Sequence, residues 1–222
     1  MMRPMPSPWP SPPNSTSSMT INSKAEWRRL LLQRRRSLAR EERQQRAMAM
    51  ATHLLEQVLP HLNTGGLVAG YVAMAAEPDL TPHLHGTVAM ALPMVCRGRL
   101  RLRRWGRGEP LEPDDCGVPA PRATAQVVGP GAVALLLIPA VAMHPAGFRL
   151  GYGGGWYDRL LSQPAWAQRP SLAVCFSCCT TVPFAVDPWD RPLHGQLTEE
   201  GVQWWRHPWT GGPDDRKLCD ER

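Results

Sequence analysis

Between Lys24 and about Leu59, apolar and charged residues interleave at the spacing of an amphipathic helix. Leu30, Leu31, Leu32 and Leu38 sit among Arg34, Arg35, Arg36 and Arg40, which predicts one apolar stripe and one solvated basic face. A break is expected near Ser37, where Ser37-Leu38-Ala39-Arg40-Glu41 has the hydroxyl and first-turn carboxylate of a new helix start. The period then changes. Leu67-Val68-Ala69-Gly70-Tyr71-Val72 is a continuous apolar run, as in a buried strand, and a turn through Glu77-Pro78-Asp79 follows it. A helix is expected around Pro82 to Thr87, and the apolar run Val88 to Val95 reads as helix passing into strand. Leu100 to Trp105 alternates as an exposed strand does, ahead of a turn at Gly106-Arg107-Gly108. Val133 to Ile138 is the strongest central strand, Leu172 to Phe176 is another, and Trp156 to Leu161 reads as the opening of a helix. Strands alternating with helices predict one α/β domain around a mostly parallel sheet, in which ligands gather at the carboxyl ends of strands.

The two ends lack this patterning. Residues Met1 to Ser23 are dominated by Pro, Ser, Thr and Met, too poor in apolar side chains to build a core, and are expected to be a disordered tail. Met19 is an alternative translation start, and the arginine-rich amphipathic pattern of a transit peptide is missing. The folded domain is expected to cover 24–202, with 203–222 a loosely held tail. Trp204, Trp205 and Trp209 could clasp that tail onto the domain.

With 222 residues and 43% hydrophobic content the chain can bury one good core. Its six cysteines follow no secretory signal, so they read as reduced thiols of a soluble cytoplasmic protein. Cys175, Cys178 and Cys179 include one CxxC spacing without a second, which argues against zinc, and His83 and His85 read as surface histidines. The longest apolar stretch, Ala132 to Met143, is too short to cross a bilayer and contains Pro139. Much of the positive charge behind the net +6 lies between Arg28 and Arg46, and a polyanionic small molecule accounts for it at least as well as nucleic acid.

The densest chemistry lies in Phe148-Arg149-Leu150-Gly151-Tyr152-Gly153-Gly154-Gly155-Trp156-Tyr157-Asp158-Arg159, with four glycines in the five residues from Gly151 to Gly155. Glycines between a strand and a helix let successive backbone N–H groups point at one anion, and the helix dipole adds to the same site. An arginine can pair phosphate oxygens bidentately, and a carboxylate beside phosphates can hold Mg²⁺. Trp156 stands where a dinucleotide-binding GxGxxG needs its third glycine, and no GxxxxGK[ST] occurs in the chain.

This segment closely resembles the RLGxGxGYYD signature of the 5-formyltetrahydrofolate cyclo-ligases. Lys24-Ala25-Glu26-Trp27-Arg28 is similar to the family's Lys-x-x-Leu-Arg element. Leu67 to Asp79, with Tyr71, Val72 and Glu77, resembles its strand and acidic turn, and Asp190 ahead of Leu193 and Thr198-Glu199 resembles its late aspartate. The likeness runs in order from about Lys24 to Val202 and implies a three-layer Rossmann-like domain.

The resemblance also implies an activity: ATP-dependent conversion of 5-formyltetrahydrofolate to 5,10-methenyltetrahydrofolate, with Mg²⁺ as cofactor and a monomer acting on small molecules alone. Arg149 and Tyr157 would be catalytic. Lys24, Arg28, Arg149, Leu150, Gly151, Tyr152, Gly153, Gly154, Gly155, Trp156 and Tyr157 would bind ATP. Val72, Glu77, Tyr152 and Trp156 would contact the folate, and Asp158 and Asp190 would hold the metal. Trp156 replaces the first of two tyrosines in the signature, Cys179 falls where many relatives have glutamine, and Trp189 where many have histidine. A non-catalytic folate- or nucleotide-binding regulator and a sugar-phosphate isomerase-like enzyme are the alternative readings.

Overall fold

The computed structural model describes residues 23–62, 65–74 and 76–208. The tails expected over Met1 to Ser23 and over 203–222 therefore fall outside it, apart from Ser23 and residues 203–208. Ser23 is not tail-like. It caps helix α1 (Lys24–Ser37) through a capping box in which its hydroxyl accepts from the Glu26 N–H and its own N–H donates to the Glu26 carboxylate.

The expected break after Ser37 is present, and α2 spans Arg40–Gln57. Its N-cap, however, is Ala39, which supplies no side-chain bond, while the Ser37 hydroxyl turns back to the Arg34 carbonyl. Strand β1 (Leu67–Ala69) ends sooner than the apolar run, because Tyr71 and Val72 bend away into the loop before Glu77. Helix α3 (Thr81–Leu84) follows, and Val88 to Val95 contains no helix: β2 is Met90–Cys96 and pairs with β3 (Arg99–Trp105) as a hairpin. Leu102 and Arg103 of β3 are buried, because this strand lies inside the sheet with β6 (Val127–Val128) on its outer edge. A small ribbon of β4 (Leu111–Pro113) and β5 (Pro119–Pro121) lies between them in the chain. Then come β7 (Val133–Pro139), a two-stranded arm of β8 (Ala142–Met143) and β9 (Arg149–Leu150), and α4 (Trp156–Leu161). The chain continues through α5 (Pro164–Ala167), β10 (Ser171–Val174), β11 (Gly195–Thr198) and β12 (Gly201–Trp204).

The eight-stranded sheet has the order β12-β11-β10-β7-β1-β2-β3-β6. Its centre, from β11 to β2, is parallel, and the flanking pairs β11·β12, β2·β3 and β3·β6 are antiparallel. β7 shows why its sequence is apolar throughout: Leu136 and Ile138 enter one core with Leu31, Leu160 and Trp166, while Leu135 and Leu137 enter another with Met50, Leu54 and Leu84. A central parallel strand buried on both faces needs no polar alternation. At the far edge, Trp204 closes β12 and Trp205 packs on Gly147, so the sheet runs past residue 202, where the sequence places the domain's end. Trp209 lies outside the described residues.

The connections fix where a ligand can enter. From β1 the chain moves to β2 on one side, and from β7 it moves to β10 on the other, so the carboxyl ends of β1 and β7 flank a topological switch point. Crossover connections diverge there and leave a crevice at the strand ends.

Candidate functional site

A cleft of about 440 Å³ opens at that point, bounded by Tyr71 and Val72 beyond β1 and by Pro139 at the end of β7. Helix α1 reaches it by periodicity. Lys24, Arg28, Leu31 and Arg35 follow one another at helical spacings of four, three and four along a single stripe, so Leu31 and Arg35 are buried while the two earlier cations line the opening.

Lys24 does not project freely. Its Nζ lies 2.5 Å from Oδ2 of both Asp187 and Asp190, and Asp190 Oδ2 also accepts from the Asp187 N–H at 2.8 Å. Burial pulls the Lys24 amine down, but the hydrogen bonds and charge of the two aspartates together outweigh it and hold the pKa above its ordinary value. On the alkaline side the tie is lost as pH rises through that raised value. Arg28 donates from Nε to the Gly151 carbonyl at 2.7 Å, which pins the start of the glycine loop to α1.

Arg149 leaves β9 and is 7% exposed. Its Nη2 meets Asp158 Oδ2 at 2.9 Å, its guanidinium lies 5.3 Å from the centre of the Tyr157 ring, and its Nε has no protein partner. Oδ1 of Asp158 accepts from the Arg191 N–H at 3.3 Å. A Cβ at Gly151 would meet the tip of the Arg149 guanidinium, which would have to shift to make room. Gly155, with φ 63°, is the left-handed N-cap of α4 and turns the loop so that Trp156, Tyr157 and Asp158 face the cleft together. The Trp156 ring lies under the Arg159 guanidinium, 4.3 Å from its carbon, which keeps an aromatic wall where the signature has tyrosine.

Glu77, which also lines the cleft, is 6% exposed; one oxygen accepts from the Met74 N–H at 2.9 Å and the other has no hydrogen-bond partner. Burial pushes its carboxyl up, and the Met74 N–H, the Arg35 charge and the Tyr152 hydroxyl pull it back only in part. Burial, with the Glu77 charge next to it, pushes the Tyr152 phenol up to about 12. The Tyr157 hydroxyl is buried without a partner and burial raises its pKa, so it is a proton-bearing donor at neutral pH.

Every residue singled out from the sequence thus lines one cleft: Lys24, Arg28, Val72, Glu77, the run from Arg149 to Asp158, and Asp190. Three contributions were not read from the sequence. Asp187 shares Lys24 with Asp190, and its position three residues before that aspartate in Asp187-Pro188-Trp189-Asp190 was an available turn signal. Pro93, Val95 and Leu100 of the β2·β3 hairpin form an apolar wall beside Asp114 and Val118, brought there by pairing that no local pattern reveals. Arg35 lay hidden among the basic residues of α1.

Four similarities to known proteins bear on this cleft. The profile of the 5-formyltetrahydrofolate cyclo-ligase family matches residues 20–199. A 5-formyltetrahydrofolate cyclo-ligase of Escherichia coli is 26% identical over 184 residues, covering 79% of this chain and 100% of the relative, and one of Mycolicibacterium smegmatis is 31% identical over 159 residues, covering 66% and 79%. The NMR structure of the 5,10-methenyltetrahydrofolate synthetase of Aquifex aeolicus matches with a TM-score of 0.70 at 28% identity, over 89% of this chain and 99% of that one.

Proposed function

The chain belongs to the 5-formyltetrahydrofolate cyclo-ligase family, ATP-dependent ligases, and from that premise we propose that this cleft converts 5-formyltetrahydrofolate to 5,10-methenyltetrahydrofolate with ATP as phosphoryl donor. One observation carries the reading: Arg149 is a buried guanidinium braced by Asp158 and Tyr157, set beside the glycine loop in the cleft that Glu77 also lines.

The chemical obstacle is the formamide. Its N5 lone pair is delocalised into the carbonyl, and the formyl oxygen is a poor leaving group. Attack of that oxygen on the γ-phosphorus breaks the bond to ADP and gives an iminium phosphate. N10 then attacks the same carbon and loses its proton, and phosphate departs with the former formyl oxygen. Such a transfer needs in-line positioning and cations around the phosphoryl oxygens more than covalent help.

Each residue then has a task. Arg149 holds the transferring phosphoryl group, Lys24 and Arg28 meet the phosphate chain from α1, and the backbone from Leu150 to Gly155 cradles it. Glu77 accepts from N–H groups of the folate ring system, Val72 packs beneath it, and Tyr152 and Trp156 flank the junction of the two substrates. Tyr157 closes the back of the site, its unpartnered hydroxyl able to donate to a substrate oxygen.

Magnesium, when it enters with ATP, supplies neutralising charge to the phosphates. Asp158 and Asp190 fit it in kind, since Mg²⁺ takes one or two carboxylates and completes its shell with phosphate oxygens and water. Among the described residues no group of three or more His, Cys, Asp or Glu side chains is arranged to hold a metal. Each of these aspartates also braces a cation, Asp158 holding Arg149 and Asp190 holding Lys24.

On the same reading the domain is a three-layer Rossmann-like unit, working as a cytoplasmic monomer on small molecules without nucleic acid or membrane. The helices on the two faces of the sheet support the layering.

Purified protein given 5-formyltetrahydrofolate and Mg-ATP is expected to form the methenyl product, followed by its near-ultraviolet absorption, with matching release of ADP. Binding of the folate with no product under excess Mg-ATP would establish a regulator instead, and ATP-independent turnover of a sugar phosphate would establish an isomerase. Asp158→Asn tests the metal: the Mg²⁺ concentration needed for half-maximal turnover is expected to rise by about tenfold or more, because the hard cation loses an anionic oxygen. A lowered rate with an unmoved Mg²⁺ curve would restrict Asp158 to bracing Arg149.

A further inference from the structure

We propose that Arg35 is a positioning residue for the folate side of the cleft, its buried charge set towards Glu77 across the Tyr152 hydroxyl so that the carboxylate stays ionised to receive the substrate. The inference rests on Glu77 as the folate contact.

Arg35 is 0% exposed, a rare state for a side chain that stays charged. It spends one nitrogen, Nη2, on the Ala140 carbonyl just past the end of β7, while Nε and Nη1 have no hydrogen-bond partner; the Cys175 and Cys179 thiols also face the guanidinium, ahead of Tyr152 and Glu77. A buried guanidinium whose only task was to tie a helix to a strand would have those donors satisfied as well. Glu77 shows the complementary defect, a buried carboxylate with Oε1 unpartnered. Tyr152 connects them, since its hydroxyl is electrostatically engaged with both Arg35 and Glu77 while the residue itself is 42% exposed in the glycine loop.

Against the burial of Glu77 stand the Met74 N–H first and then the Arg35 charge. The groups facing that carboxylate are Arg35 from α1, Tyr71 beyond β1, Tyr152 from the glycine loop and Tyr157 from α4. Only Arg35 among them is cationic. The three phenols are all raised by burial first and carry no charge at neutral pH. With Arg35 gone, burial would act on Glu77 against the Met74 N–H and one neutral hydroxyl alone, and its pKa would climb further.

A pair of substitutions separates charge from hydrogen bonding. Arg35→Gln keeps a donor for the Ala140 carbonyl and removes the charge; Arg35→Lys keeps the charge. The Gln variant is expected to raise KM for 5-formyltetrahydrofolate at neutral pH by about tenfold, to leave KM for ATP unchanged, and to move the acid limb of kcat/KM upward by about one pH unit. Raising the pH should restore it, and the Lys variant should keep the limb of the unmodified protein. An acid limb unmoved in the Gln variant, or a loss confined to melting temperature and active fraction, would overturn the proposal. If the unmodified protein shows no turnover, the functional reading fails by itself. The Arg35 proposal is then decided by the pH dependence of 5-formyltetrahydrofolate binding, followed by tryptophan fluorescence in the same variants, with the same shift expected and its absence fatal.

Discussion

Arg149→Ala is expected to lower turnover by about 10²–10³-fold, the usual loss when one preorganised donor to transition-state charge is removed. Arg149→Lys should still cost about tenfold or more, although it conserves charge. The physical reason is the setting. The guanidinium is 7% exposed, braced by Asp158 at 2.9 Å and by the Tyr157 ring, and lies close against Gly151. An ammonium would recover the Asp158 bond but could not present two parallel N–H groups to the phosphoryl oxygens as well. Turnover and melting temperature should be measured on one preparation, because the Ala variant also leaves Asp158 without its cation. A Lys variant with unchanged turnover would take Arg149 out of the phosphoryl site.

Glu77→Gln is expected to move activity and stability in opposite directions. The carboxylate is buried with one oxygen unpartnered, and burial raises its pKa above the unfolded value. A carboxyl whose pKa is higher in the folded protein favours folding only where it is protonated, and that contribution is lost as pH rises through the folded value. Wherever Glu77 is ionised it therefore weighs against the fold, and the neutral amide should raise the melting temperature by about 2–4 °C for each kcal/mol relieved. The same change removes a charged acceptor from the folate side, and KM for 5-formyltetrahydrofolate should rise by about tenfold or more. Scanning the melting temperature from pH 5 to 8 checks the linkage, since the gap between the two proteins should widen as pH rises. A destabilised Gln variant with normal KM would make Glu77 a structural residue of the loop after β1.

Local chemistry in the sequence determined a great deal. Arg149, the glycines from Gly151 to Gly155 and Asp158 are contiguous, so their joint presence in the cleft was readable from spacing and type; Lys24 and Arg28 share one helical turn, but it was the family resemblance that joined them to the loop. The apolar run at Val133–Pro139 likewise announced a strand buried on both faces. Pairing across long separations decided the rest. Val88 and Ala89 carry no helix because Met90–Cys96 is committed to β1 on one side and β3 on the other, a gain that outweighs any local preference. Asp187 and Asp190 meet Lys24 across 163 and 166 residues of chain, and Arg35 faces Glu77 and Tyr152 only because α1 packs over the carboxyl end of β7. Periodicity and residue type specify which side chains can do chemistry and which face of an element carries them. Which carboxylate is buried, which cation it meets and how far its pKa moves depend on desolvation and distance, and those quantities exist only once the chain is folded.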